Sequence, residues 1–450
     1  MLGRAETRPC LCLRMCSVTY LCSAQTGWRG QDLDLMQRAG DLKGELMSFA
    51  MSERFGRVFK SLILDAFPDG IVDDEAIFAG VIEDFLFHHR LAGDERVVER
   101  FVAERADLPE QDKALLLGWR DNVQGMFEIG EPYGDDGVIA FNHIDELTYR
   151  VRSNMGPEGV GPLTPGVIMI GGIVPVGDDW MISGSPMAFP ADQAEQVLAG
   201  LPQLVMNHPK WVFRNPEKLA QARGMQEEQR KAFIALHGAD LIVVPGAQVE
   251  PTLMALYRYV YEQAGSKDGP WTDPGLPPLP IEWTTADTVA MIFDHEDGLG
   301  FYVDFAAAQQ AFADPNLVRR RRYREVISGY LRGDGVSPVP IRRLVVSNPD
   351  GADQVFQRLL NKPRFSWNRD GQALLHKYKA AWYAEPPLPR VMPASTALSQ
   401  RFRRSREGSR SAAQPLSRSA APADRPRPRP TVATYAPGPL LSGGPESVGP

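Results

Sequence analysis

The densest group of chemistry-bearing side chains is Asp294-His295-Glu296-Asp297, in the stretch FDHEDGLGF. Three carboxylates beside an imidazole make a donor set for a divalent cation, and Asp304, on the return strand, would supply a further oxygen ligand. A cation held by Asp294, His295, Glu296 and Asp304 would activate water and define a metal-assisted hydrolase, more so if Asp178 or His143 approached it in a concave pocket. Turn chemistry gives a plainer account: Glu296-Asp297-Gly298 is what a solvated turn between two apolar runs prefers.

A second stretch, VIMIGGIVPVGDDWMISGSPMAF (residues 167–189), has glycines spaced as in a nucleotide-binding loop and two adjacent carboxylates. A phosphate loop needs Lys and Ser or Thr after its last glycine, whereas Gly177 is followed by Asp178-Asp179-Trp180, and two carboxylates repel a phosphate. Gly-Asp-Asp between apolar runs reads instead as a hairpin turn, because Gly and Asp tolerate left-handed backbone angles. Asp84 and His88 share one face of a predicted helix, as half of a metal site or as a carboxylate orienting a histidine. The run Arg319-Arg320-Arg321-Arg322-Tyr323-Arg324 covers more than one helical turn and cannot be buried all round. It reads as a solvated helix that pairs with acids, with phosphate or RNA contact as the alternative. The sequence has no G-x-S-x-G elbow, H-E-x-x-H, dinucleotide fingerprint or kinase motif set.

Composition bounds what these residues can belong to. A chain of 450 residues exceeds one ordinary core, so two or three domains are expected. With 43% apolar and 23% charged residues it reads as a soluble globular protein. Residues 401–450 hold nine Arg and three acids, +6, while the preceding 400 residues hold 40 basic and 53 acidic groups, −13. A body that acidic argues against a general nucleic-acid binder. All the cysteines, Cys10, Cys12, Cys16 and Cys22, precede residue 23. The rest of the chain therefore has no disulfide, thiolate metal site or cysteine nucleophile, as expected in a reducing cytoplasm. The cysteine spacing lacks both the CxxC and the His of a zinc site. Arg14 interrupts the apolar run that a signal peptide would need, and nothing approaches the roughly 18 apolar residues of a membrane span.

The elements that must position the candidates follow from periodicity. Met36, Met47 and Met51 are alternative starts, and residues 1–46 read as a disordered leader or a misassigned start. Residues 47–125 are predicted to be helical: Ile77, Phe78, Val81, Ile82, Phe85 and Leu86 form a stripe behind the cap candidates Asp73 and Asp74, with His89 lying on it. Val97, Val98, Phe101 and Val102 mark a second helix, and Asp107 with Glu110 reads as a capping box opening a third, which carries Leu115, Leu116 and Trp119. From 126 to 190 the period is two, with strands MFEIGEPY, GVIAFNHI and LTYRVRS. In the stretch from Val167 both alternating sets are apolar, so that strand is covered on both sides, and Gly171-Gly172 predicts a bulge or bend of a small barrel. Residues 191–264 are helical with a strand at 241–246, residues 265–280 read as a linker, and residues 281–393 form an αβ region. That region holds the hairpin TVAMIFDHEDGLGFYVDF and helices at 315–332, 350–361 and 370–383. Residues 394–450, rich in Arg, Pro and Ser, cannot bury a core and are expected to be disordered.

A set of segments, in order from Phe85 to Pro393, resembles a family of uncharacterised bacterial proteins, some of which carry a C-terminal zinc-binding SEC-C module. These are FLFHHRLAGDERVVERFVAER, LLLGWRDNVQGMFEIGE, GGIVPVGDDWMISG, HPKWVFRNPE, GADLIVVPGAQVE, GLGFYVDF, VSPVPIRRL, VFQRLLNKPRFSW and GQALLHKYKAAWYAEPPLPRVMP. The resemblance implies no reaction and no site residues, and the Arg/Pro tail has neither Cys nor His, so the module is absent.

The expectation is an α+β protein: a helical N-terminal region, a small central β-barrel or curled antiparallel sheet, a C-terminal αβ region, and disordered ends. Functionally it is expected to be a cytoplasmic binding or interaction protein without catalytic activity, whose partner is a protein or a small molecule. No membrane and no cofactor are expected, with a divalent metal as the exception for the hydrolase alternative. Nucleic acid is not expected, with Arg319, Arg320, Arg321 and Arg322 as the weak exception.

Overall fold

Helix α1 (Leu35–Ala50) lies mostly inside the segment expected to be a leader. The computed structural model describes residues 35–72, 75–263, 270–273, 275–385 and 387–395. The cysteines, Asp73, Asp74 and the tail from residue 396 lie outside them. α1 buries Met36, Ala39, Leu42, Leu46 and Ala50, the stripe of an amphipathic helix. Gly40 and Gly44 weaken its helical signature in the sequence. Gly40 is there for close approach: a Cβ at that position would lie 2.5 Å from the Asn154 side chain.

The chain is α+β and divides into two compact units between Pro202 and Gln203. In the first, α1 packs with α2 (Gly56–Ala66), α3 (Glu75–Phe87), α4 (Val97–Glu104) and α5 (Glu110–Gly118). The capping box predicted for α5 does not form: Asp107 bonds Arg105 at 2.8 Å, and Glu110 pairs with Lys113 at 2.7 Å. α4 has such a contact instead, the Arg96 N–H donating to the Glu99 carboxylate at 2.8 Å.

Beyond the helices, β1 (Val123–Tyr133), β2 (Gly137–Asn142), β3 (Thr148–Arg152), the short helix α6 (Pro157–Val160), β4 (Ile168–Val176) and β5 (Asp179–Phe189) build a closed barrel. Its order is β1-β2-β3-β5-β4, antiparallel except for β3 and β5, which run parallel with Val151 opposite Trp180. β1 is long enough to pair first with β4 and then with β2. The expected irregularity at Gly171-Gly172 is present as a register shift between Ile170 and Gly172. β4 is covered on both faces: Met169 and Ile173 fill the barrel with Phe127, Tyr149 and Val151, while Val174 and Val176 pack on the helices with Phe85, Leu86 and Trp119. This is why both of its alternating sets are apolar.

Short helices α7 (Ala194–Leu198), α8 (Leu201–Asn207) and α9 (Pro209–Val212) lead to the long helix α10 (Pro216–His237), begun by the Asn215 side chain and ended at left-handed Gly238. Then come β6 (Leu241–Val244), α11 (Val249–Gln263), α12 (Ile281–Thr284), β7 (Val289–Asp294) and β8 (Gly298–Val303). The strands form a three-stranded antiparallel sheet with β7 central. Met291 and Phe293 face α10 and α11 through Phe233, Leu253 and Leu256. Ala290 and Ile292 face the second helical layer, α13 (Phe305–Ala313), α14 (Arg321–Arg332), α15 (Val339–Ser347), α16 (Pro349–Leu360) and α17 (Trp367–Tyr378). A last short helix, α18 (Ala380–Ala384), follows.

The described part of the expected linker is docked, with Leu276 and Leu279 packed on the α10/α11 core and Trp271 5.3 Å from Tyr261 ring to ring. Its Pro and Gly content signals missing periodicity, which is a weaker property than missing contacts. No helix among the described residues is long and apolar enough to cross a membrane.

Candidate functional site

The acidic group at 294–297 closes the β7–β8 hairpin, where Asp294 pairs with Gly298 and Gly298 takes φ of +73°. The Asp294 Oδ1 accepts the N–H groups of Glu296 and Asp297 at 3.0 and 3.1 Å, and its Oδ2 lies 3.8 Å from Arg343, so the carboxylate is occupied by its own turn and by α15. From α10, Arg223 and buried Gln226 donate to the Glu296 carbonyl at 2.8 and 3.3 Å. Asp297 is buried at 6% exposure, takes a bond from the Trp382 indole N–H at 3.4 Å and lies 3.6 Å from Arg390. His295 and Glu296 are exposed.

Asp304 is elsewhere. It sits at the other end of β8, donating its N–H to the Thr288 carbonyl at 2.6 Å, while Asp294 is six residues along β7 from Thr288, about 20 Å at the strand rise. The set Asp294, His295, Glu296 and Asp304 is therefore not brought together. The Asp304 carboxylate faces Arg322 at 3.7 Å. Among the described residues no three His, Cys, Asp or Glu side chains are grouped to hold an ion.

In the first unit Val176 pairs with Asp179 across a two-residue turn in which Gly177 takes φ of +61°, as the sequence suggests. Asp178 is exposed and contributes its carbonyl to Arg150 at 2.6 Å. Asp179 belongs to the strand, 2.9 Å from Arg150 and 3.8 Å from Arg152, which also bonds Asp136 at 2.7 Å. His143 is buried and paired with Glu128 at 2.8 Å. His88 lies just past the end of α3, where burial, the leading influence, pushes its pKa down. His89 rests on the Phe85 ring at 5.7 Å, as the helical stripe predicts.

A buried polar group absent from the sequence reading clamps helices to barrel. Lys43 of α1 donates to Glu83 of α3 at 2.7 Å and to Ser183 of β5 at 2.6 Å, and Ser183 donates to Glu83 at 2.5 Å. Burial pushes the Lys43 pKa down and Glu83 opposes the shift. A serine beside such a lysine has the ingredients of a nucleophile, but all three side chains are buried and mutually satisfied.

The Arg run behaves largely as a solvated helix start. Arg321 pairs with Glu325 at 2.7 Å and Arg322 with Asp287 at 2.6 Å, while Arg319 ends the preceding 3-10 turn and Arg320 follows it, both exposed.

A cavity in the second unit lies where α16 ends and α17 begins. Its volume is about 690 Å³, within the range of small-molecule sites. Leu360, Phe365, Ala373 and Leu374 give it an apolar lining, and Lys362, Arg364, Arg369 and Lys377 supply the cations. Left-handed Asn361, φ +53°, ends α16 and turns the chain into the exposed stretch Asn361 to Arg364. Phe365 and Leu374 are buried, and Phe365 packs 5.7 Å from Phe356, so the floor is built from the core. Asp370 is the sole carboxylate of the lining; bidentate contact with Arg369 at 2.8 and 2.9 Å and the Ser366 N–H hold its pKa down to about 2. Motif scanning misses this site because it has no motif. A windowed charge count finds it: residues 315–384 contain 14 Arg or Lys and five acids, +9, which leaves −22 for the remainder of residues 1–400.

A closed barrel ordered β1-β2-β3-β5-β4, with β3 and β5 parallel and a helix between β3 and β4, has the connectivity of the oligonucleotide/oligosaccharide-binding barrel. Topology assigns no ligand by itself. No protein-family model, no curated protein and no solved structure matches the chain.

Proposed function

We propose that the chain is a cytoplasmic binding protein without catalytic activity, and that it binds anionic ligands on the helical layer of its second unit. The observation that carries this reading is charge segregation: +9 over residues 315–384 in a body that is otherwise −22. Fields of that sign raise the local concentration of anions even when the whole protein repels them. The barrel supports the same choice by contrast. The turns that such barrels use for ligands carry Asp135, Asp136 and Asp178 here, and Arg150 and Arg152 are engaged by Asp179 and Asp136. Cysteines confined to the first 22 residues support the cytoplasm.

Retention on a heparin matrix at low salt tests the reading. The whole chain should be retained despite its net charge of −7 and elute with added salt. A variant carrying Arg319→Glu, Arg320→Glu, Lys362→Glu and Arg364→Glu, with the basic tail intact, should pass through. Equal retention of both proteins, or passage of both, would sink it.

A further inference from the structure

We infer that the cleft between the end of α16 and α17 is a binding site for a small organic phosphate, its phosphate on Lys362, Arg364 and Lys377 and its apolar body on the floor. This deepens the anion-binding reading and rests on it. The three cations have no carboxylate within ion-pair distance among the described residues, whereas the neighbouring Arg369 is held by Asp370 and donates to the Arg364 carbonyl. The acid of the cleft thus makes its side-chain hydrogen bonds to Arg369, and Lys362 feels its charge only from beyond ion-pair distance. Three unpaired cations around one opening repel one another, and a phosphate dianion with three accepting oxygens relieves that repulsion better than a carboxylate does. Lys377 also lies over the Tyr378 ring at 5.4 Å, which keeps its stem against the protein surface.

The floor specifies the other half of the ligand. Leu374 and Phe365 are fixed by the core beneath them, and Ala373, exposed and small, leaves open the space a larger side chain would fill. A preformed apolar floor beside cations selects a molecule with both characters.

Calorimetry on the whole chain, with phenyl phosphate, inorganic phosphate and phenylacetate as probes, decides the matter. Phenyl phosphate should bind about tenfold more tightly than inorganic phosphate, the return expected from burying a ring. It should also bind more tightly than phenylacetate; equal affinity for the two would overturn the phosphate assignment. Lys362→Gln with Lys377→Gln should weaken both phosphates. Ala373→Trp should weaken phenyl phosphate about tenfold and leave inorganic phosphate unchanged, and no effect of that variant on phenyl phosphate would overturn the site. Retention on heparin without phosphate binding would sink the cleft alone; loss of both would sink the anion-binding reading with it.

Discussion

The Asp179 carboxylate lies 2.9 Å from the Arg150 guanidinium across the seam where β3 and β5 run parallel. Only Val151 with Trp180 and Arg152 with Met181 pair in that seam, so it is the thinnest join of the barrel. The second of two adjacent acids, which turn chemistry alone would leave solvated, therefore closes the sheet, together with Arg152 and its other partner Asp136.

Asp179→Asn should accordingly destabilise the protein by about 1 kcal/mol, the scale of a partly exposed ion pair rather than of a core residue. Arg150 is half-exposed, so part of the effect should disappear at high salt. Asp178→Asn, which leaves the carbonyl bond to Arg150 intact, should be neutral. Denaturant titrations of the two variants at low and high salt check this, and equal effects of both substitutions would reduce Asp179 to a turn residue.

Residues 1–46 bear on stability through α1. A chain begun at Met47 lacks buried Met36, Ala39, Leu42 and Leu46 as well as Lys43, leaving Glu83 and Ser183 buried without their cation. Loss of a single buried leucine costs about 2–5 kcal/mol, so this truncation should not yield a cooperatively folding protein. A chain begun at Met36 keeps all these contacts. A thermal melt of the Met47 product matching that of the Met36 product would show that α1 is dispensable.

What the sequence made legible was set by which interactions are local. The strands of the barrel, the bulge at Gly171-Gly172 and the two-sided burial of β4 follow from the period-two pattern of apolar residues, which records burial directly. α1 escapes the periodicity because Gly40 and Gly44 lower helical propensity, and at Gly40 the reason exists only in three dimensions, the approach of Asn154. Asp294-His295-Glu296-Asp297 looked like a site because the sequence cannot display the groups of α10 and α18 that grip the turn, nor the length of strand that separates Asp304 from it. The cleft at α16 and α17 was invisible to motifs and averaged away in a charge count taken over the first 400 residues.

Lys379 gives a pH dependence of known sign. The residue is buried at 4% exposure, and its ammonium donates to the Gly333 carbonyl at 2.6 Å and has its pKa pushed down by burial from 10.5 to about 8. Between those values the unfolded chain binds more protons than the folded one, so this group makes stability rise with pH over that window. Below about pH 8 both states are protonated and the full cost of burying the charge is present. Stability of the native chain relative to Lys379→Met should therefore increase from about pH 8 to about pH 10. A flat difference across that range, measured by denaturant titration, would show that the ammonium is not desolvated.

The hairpin at 294–297 separates a structural acid from a solvated one, although the two are adjacent. Asp297 is buried against the Trp382 indole and Arg390, so Asp297→Ala removes an acceptor and leaves two donors facing a void, a loss of about 1–3 kcal/mol. Glu296 is exposed and engages α10 through its main-chain carbonyl, which Glu296→Asn retains, so that variant should lie within about 0.5 kcal/mol of the native protein. Because Asp294 is occupied by its own turn and Asp304 lies at the far end of the strand, magnesium, manganese, calcium and chelator should each leave the melting temperature unchanged. A rise with any of these ions that vanished in Glu296→Asn would instead show a cation bound at the turn, since a ligand of the native state stabilises it by mass action. That outcome would return a metal-assisted reaction to these residues.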